Sequence, residues 1–427
     1  MHKPGLFPPL RVYWLTEAFY PPIVGGQEMF AANLVHALAD RGATVNVITR
    51  QTNPAAPAAE RIGAVGVRRI SPAGILKGKG WAAAFPLISY LMRLTWLLLK
   101  GLRYYDVVIV SGVKIMPLIV VPLCLLTGKK CILRVESFFE LQETVSTESL
   151  QSMDRLSGHL VVAIIDRIRR WVIARGSAVI AISSEIQTGL RLRGIPDDRI
   201  HRIPNAVDLR KFRPLPAVDK AALRASLGLP ADRTVVIFSG RLSRAKGLQM
   251  LVEAWPRLLK QHPDLYLLIV GSGKLSFDNC EDAVKGFVRE HALSDDVMFY
   301  GESDRVHELL QASDLFVFPT EYEGFSLALV EALGSALPVV VTAVGAAPDL
   351  IEQGLNGFLF PPKDPEALVS ALESALQQRS RWSEIAAAAR ASVLVFDLAT
   401  VADRYLKLSL ALTSTASGEP REPVEPA

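Results

Sequence analysis

Cysteine is nearly absent from this chain of 427 residues. Cys124, Cys131 and Cys280 have neither the number nor the spacing for a disulfide framework or a zinc site, which fits a reducing compartment. No D-x-D metal motif occurs, so no bound cofactor and no metal are expected. No basic run is interleaved with aromatics, and the net charge is only +4, which leaves nucleic-acid binding unsupported. No short-period repeat is visible. A signal peptide needs a continuous apolar stretch, whereas Met1 to Leu10 carries prolines at 4, 8 and 9; a cytoplasmic protein is expected. The most apolar run, Val107 to Leu126, is broken by Lys114, Pro117 and Pro122, so it reads as a buried strand (Asp106 to Val110), a loop and a hydrophobic helix (Met116 to Leu126) rather than a membrane span.

What is present describes a globular enzyme. Half of the residues are hydrophobic and 21% are charged, and the length exceeds one ordinary core, so about two domains are expected. In the first half, near-continuous apolar strands at Arg11 to Leu15, Thr44 to Thr49, Gly66 to Ile70, Asp106 to Val110, Cys131 to Val135 and Ala178 to Ile182 alternate with helical patterns. After Pro204 the chain turns loop-like through Pro214 and Pro216. The alternation then restarts, with strands at Thr234 to Ser239, Tyr266 to Val270, Asp314 to Phe318 and Pro338 to Val341, and helices near Gly247 to Gln261, Arg305 to Ala312 and Phe325 to Ser335. This predicts an α/β fold of two doubly wound, Rossmann-like domains with ligands at the carboxyl ends of the strands. The expected divisions are 1–204, 205–395, a helix at 396–412 that packs back on the first domain, and a disordered tail at 413–427.

Three loops carry chemistry. After Thr234 to Ser239 comes S-G-R-L-S-R-A-K-G, where Gly240, Arg241 and Lys246 offer a turn and two cations at a strand end; this suits a diphosphate, or else is a solvated basic loop. After Asp314 to Phe318, Glu323 and Gly324 lead into a helix start at Phe325, Ser326 and Leu327, with Glu331 one helical stretch further on. Unpaired amides at a helix N-terminus suit phosphate or sugar oxygens, and the carboxylates accept hydroxyl hydrogen bonds. In the first domain Gly25 and Gly26 stand at the first strand-to-helix turn, open to a ligand or simply turning the chain.

In these motifs the chain resembles the GT-B glycosyltransferases of retaining family 4 (glycosyltransferase group 1), from about Val12 to Leu412. The E-x7-E pattern matches Glu323 and Glu331, S-G-R-L…K-G matches Arg241 and Lys246, I-P-N-A-V-D spans Ile203 to Asp208, and L-I-V-G-S-G spans Leu268 to Gly273. The resemblance implies transfer of a sugar from a nucleoside diphosphate sugar (UDP or GDP among the candidates) to an acceptor hydroxyl with retention, in polysaccharide or glycolipid synthesis. It implies that Arg241 and Lys246 bind the donor diphosphate and Glu331 the ribose, and that Glu323 with the amides of Phe325, Ser326 and Leu327 holds the sugar or distal phosphate. Gly25 and Gly26 would approach the diphosphate. Where relatives carry a histidine after Cys131 to Val135, this chain reads R-V-E-S, so Arg134, Glu136 and Ser137 are the acceptor-side candidates, or else Arg134 and Glu136 form a buried pair. A non-catalytic sugar-nucleotide-binding module, or a phosphorylase or synthase of the same fold, are the alternatives.

The acceptor is expected to be a saccharide or lipid-linked. Trp81, Trp96, Phe138 and Phe139 lie in the first half with two segments, Phe85 to Lys100 and Leu160 to Arg175, that read either as packed helices or as helices lying on anionic membrane. In the second, Ile164, Ile165, Ile168, Trp171 and Val172 fall on one apolar stripe, with Arg167, Arg169 and Arg170 elsewhere.

Overall fold

The computed structural model describes residues 8, 10–20, 25–53, 55–71, 81–142, 166–274, 276 and 278–414, and for 81–85 and 142 the backbone alone. The chain divides into two compact units, one of residues 1–204 and 399–427 and one of residues 205–398.

The first unit is built on β1 (Arg11–Thr16), β2 (Thr44–Arg50), β3 (Ala59–Ile62), β4 (Val65–Ile70), β5 (Val107–Ser111), β6 (Lys130–Val135), β7 (Ala178–Ala181) and β8 (Ile200–Arg202). They form one sheet in the order β3-β4-β2-β1-β5-β6-β7-β8, parallel except for the β3–β4 pair. All five residues of β5 are buried, as a parallel strand covered on both faces requires. The apolar run at 107–126 resolves into β5 and the helix Pro117–Thr127, and no helix among the described residues is long and apolar enough to cross a membrane. β3 and β8 were not expected: AERI and IHR are short edge segments with no apolar run to betray them.

The last helix, Leu398–Ser414, belongs to this unit. It starts two residues later than expected and includes Thr413 and Ser414, which had been assigned to the tail; the remaining tail residues, 415–427, lie outside the described residues. Tyr405 is buried against Trp14 of β1, with ring centroids 6.1 Å apart. Arg41 pairs with Asp403, and the Arg404 guanidinium donates to the Arg202 carbonyl at 2.7 Å.

The second unit has β9 (Thr234–Ser239), β10 (Leu265–Val270), β11 (Val297–Gly301), β12 (Leu315–Phe318), β13 (Val339–Thr342) and β14 (Phe358–Phe360) in a wholly parallel sheet ordered β11-β10-β9-β12-β13-β14. Strand order reverses between β9 and β12, the topological switch point at which open parallel sheets bind ligands. The edge strands β11 and β14 went unread in sequence because one is half-exposed and the other has three residues.

Candidate functional site

The ends of β9 and β12 are stitched together by backbone. Beyond β9, a 3-10 turn at Arg244–Lys246 closes on Gly247, whose φ of 68° begins the helix Leu248–Gln261. A Cβ at Gly247 would lie 1.9 Å from the Pro319 carbonyl oxygen, so only glycine allows the two loops to approach this closely. The Glu321 amide donates to the Ala245 carbonyl at 2.8 Å, and the Thr320 hydroxyl donates to the same oxygen at 3.2 Å. The approach brings Lys246 Nζ onto Glu323 Oε1 in an ion pair that is mostly shielded from solvent. Two charges that the sequence separates by 77 positions thus form one unit.

The helix expected from Phe325 runs instead over Leu327–Gly334, and Ser326 caps it, its Oγ accepting from the Leu329 amide at 3.2 Å. The chain bends at Gly324 and Phe325 just before the cap, without a left-handed φ at Gly324. The left-handed residue here is Gly345 (φ 58°), in the loop after β13, where a Cβ would sit 2.4 Å from the Glu323 carbonyl oxygen. Among the described residues the amides of Phe325, Ser326 and Leu327 donate no hydrogen bond, as the first amides of a helix do not.

Glu331 differs from Glu323. Its carboxylate has no hydrogen-bond or ion-pair partner among the described residues, and burial pushes its carboxyl up to about 7 against the opposing charge of Lys211. A desolvated carboxylate without a protein partner is an acceptor held ready for a ligand's hydroxyls. Arg241 is exposed, and its charge reaches Asp278.

Asp278 was not foreseen. Burial would raise its carboxyl, but hydrogen bonds from the Ser276 hydroxyl and the Ala245 amide, together with Arg241, hold it below the usual carboxylate range. It props the Arg241–Lys246 loop from the segment after β10. The close approach of that segment was legible in G-S-G: Gly271 (φ 133°) leaves no room for a Cβ beside the Gly240 carbonyl oxygen, 1.8 Å away. Nothing in the spacing marks an aspartate seven residues further on.

In the first unit Gly25 caps the helix Gly26–Asp40 with an extended backbone (φ −166°) that any residue adopts, so no turn demands glycine there. Arg134 is fully buried. Its guanidinium pairs with Glu136, lies 3.4 Å from the Ser111 hydroxyl and stacks 4.3 Å from the Phe30 ring centroid. Arg134 therefore sits in the interior, as the buried-pair reading had it. Glu136 Oε1 also takes the Ser111 hydroxyl, whereas its Oε2 is buried without a hydrogen-bond partner among the described residues. Ser137 is half-buried, its carbonyl receiving the Glu140 amide at the start of the helix Phe139–Gln142. Glu140, also unforeseen, accepts the amides of Val113 and Glu136 at 3.2 Å each and so ties the loop after β5 to the loop after β6. Burial pushes its carboxyl up to about 7 against these bonds.

Of the Leu160 to Arg175 segment, residues 160–165 lie outside the described residues, and the helix at 166–173 divides the apolar stripe: Ile168 and Trp171 are exposed, while Val172 is buried. Arg169 is buried too and donates to the Leu141 carbonyl at 3.0 Å.

Residues 219–392 match the model of the glycosyl transferases group 1 family, and residues 24–211 that of glycosyltransferase family 4. The chain is 30% identical over 384 residues to a D-inositol 3-phosphate glycosyltransferase of Xylanimonas cellulosilytica, covering 86% of this chain and 87% of that protein. It is 31% identical to the lipopolysaccharide core biosynthesis mannosyltransferase LpsB of Rhizobium meliloti over 51% of this chain and 60% of the other. Among solved structures it is similar to sucrose-phosphate synthase from Thermosynechococcus elongatus, with a TM-score of 0.77 at 25% identity over 95% and 100% of the two chains. HepE from Anabaena, in complex with UDP, shares the fold with a TM-score of 0.70 at 20% identity over 93% and 99%.

Proposed function

Because the chain belongs to the group 1 glycosyltransferases, with the GT-B fold, we propose that it transfers a sugar from a nucleoside diphosphate sugar to an acceptor hydroxyl with retention of anomeric configuration. The reading rests above all on the pairing of Lys246 with Glu323 at the ends of β9 and β12, beside a capped helix N-terminus. Arg241 and Lys246 neutralise the diphosphate as it leaves, and the amides of Phe325, Ser326 and Leu327 face the phosphate or sugar oxygens. Glu323, held by Lys246, accepts hydroxyls of the transferred sugar; Glu331 accepts those of the ribose. Gly240 and Gly324 let the backbone come close, and Gly25 and Gly26 present amides at a helix N-terminus of the first unit. The bond from the anomeric carbon to the leaving phosphate oxygen breaks, the acceptor oxygen bonds that carbon on the same face, and the acceptor proton passes to the departing phosphate. Chelator-independent chemistry is part of the proposal. The complex of HepE with UDP-glucose supports a UDP-sugar, with a GDP-sugar the other candidate. On the acceptor side Ser137, half-buried beside the interior Arg134–Glu136 pair, contacts the sugar. The acceptor is a growing polysaccharide or glycolipid, reached at a membrane surface.

A panel of UDP-, GDP- and ADP-sugars, with and without EDTA, tests this. Transfer or slow donor hydrolysis that survives EDTA is expected, and Lys246→Ala lowers kcat/KM by about a thousandfold, the loss typical of a missing oxyanion stabiliser. Nucleotide binding with neither reaction would leave a binding module instead.

A further inference from the structure

The helix Trp81–Lys100 presents two faces at helical spacing. Tyr90, Leu94 and Leu98 are buried, while on the opposite side Ile88, Met92, Trp96 and Leu99 form an exposed stripe, with Met92 66% and Trp96 53% exposed. Soluble surfaces rarely leave so contiguous a row of large apolar side chains uncovered. Arg93 and Lys100 flank the stripe, Lys100 Nζ standing 4.0 Å from the Trp96 ring centroid. The helix packs beside Pro117–Thr127, whose last turn holds Leu126, 86% exposed, shortly before Lys129 and Lys130.

Charge identifies the occupant. Between Arg61 and Val135 the exposed charges among the described residues are Arg61, Arg68, Arg93, Lys100, Arg103 and Lys114, and the one acidic residue of that stretch, Asp106, is already bound by the Arg11 guanidinium at 3.1 Å. A face with exposed Trp, Met, Ile and Leu edged by Arg and Lys, in a region all but free of carboxylates, complements an anionic bilayer: apolar side chains enter the acyl boundary and cations meet the headgroups.

We propose that the outer face of Trp81–Lys100 docks this protein on anionic lipid, the helix lying in the interface rather than crossing it. The proposal deepens the membrane part of the function above and rests on it only for the purpose of docking. Lipid binding and sugar transfer are measured separately, so either can fail alone.

The test is flotation of the full chain with vesicles of phosphatidylcholine alone and of phosphatidylcholine mixed equally with phosphatidylglycerol. Wild type is expected to float with the mixed vesicles, less so at high salt, and to stay behind with phosphatidylcholine alone. Met92→Glu with Trp96→Glu should lower the bound fraction roughly tenfold, and Arg93→Glu with Lys100→Glu should do likewise, both with unchanged Tm and unchanged transfer to a soluble acceptor. Wild type failing to float, or the Met92/Trp96 variant floating like wild type, overturns the proposal. So does a dimer in analytical ultracentrifugation that the same variant dissociates, since the stripe would then be covered by a second copy.

Discussion

At the ends of β5 and β6, Ser111, Arg134, Glu136 and Glu140 are buried and largely satisfy one another, whereas at the ends of β9 and β12 Arg241 is exposed, Lys246 and Glu323 keep some solvent access, and the Glu331 carboxylate has no hydrogen-bond or ion-pair partner among the described residues. Both clusters occupy the position in a parallel sheet where ligands bind. The difference is where the partners come from. In the first unit they lie on neighbouring strand ends and the helix that follows, so the charges are spent on holding loops. In the second, two rigid loops meet through Gly247 and leave acceptors and amides uncommitted, which is what a ligand needs.

The comparison predicts opposite consequences for similar deletions. Arg134→Ala should cost about 3–5 kcal/mol in urea unfolding, because Glu136 would be left as an uncompensated buried charge. Lys246→Ala should cost about 1 kcal/mol while abolishing most transfer. Equal stability losses for the two would break the contrast. Gly247→Ala should cost about 3 kcal/mol, since the left-handed backbone and the Pro319 carbonyl both reject a side chain; Gly25→Ala, on an extended backbone, should stay within about 1 kcal/mol.

An effect confined to part of the pH range concerns Glu331. Its carboxyl stands at about 7 in the folded chain, above the unfolded value, so folding favours the protonated form. The stability this confers is full below the unfolded pKa and is lost as pH rises through 7. Glu331→Gln should therefore match wild type in unfolding free energy near pH 4 and exceed it by about 1–2 kcal/mol at pH 8, while weakening nucleotide binding. A constant difference across that range would mean that the carboxylate has found a partner in the folded protein.

Most of this architecture could be read before the structure. Strands such as β5 and β9 are apolar because both faces are covered, and their alternation with helices leaves a parallel sheet as the natural arrangement. The edge strands β3 and β8 escaped notice because an exposed or three-residue strand carries no such run. Arg241, Lys246, Glu323 and Glu331 stood out through their place after strands. Asp278 and Glu140 did not, since each acts on backbone amides of loops remote in sequence.

Sequence by itself determined which residue types stand at the strand ends, because strand periodicity and turn residues are local properties. Only the tertiary structure decided which of them are consumed by the protein and which are left for a ligand. That choice depends on desolvation and on partners 77 positions apart for Lys246 and Glu323 but two apart for Arg134 and Glu136. The same holds for Arg169 and Trp171, whose hydropathies suggest the reverse of their positions. Burial is set by what packs against a helix, and helical spacing specifies only which residues share a face.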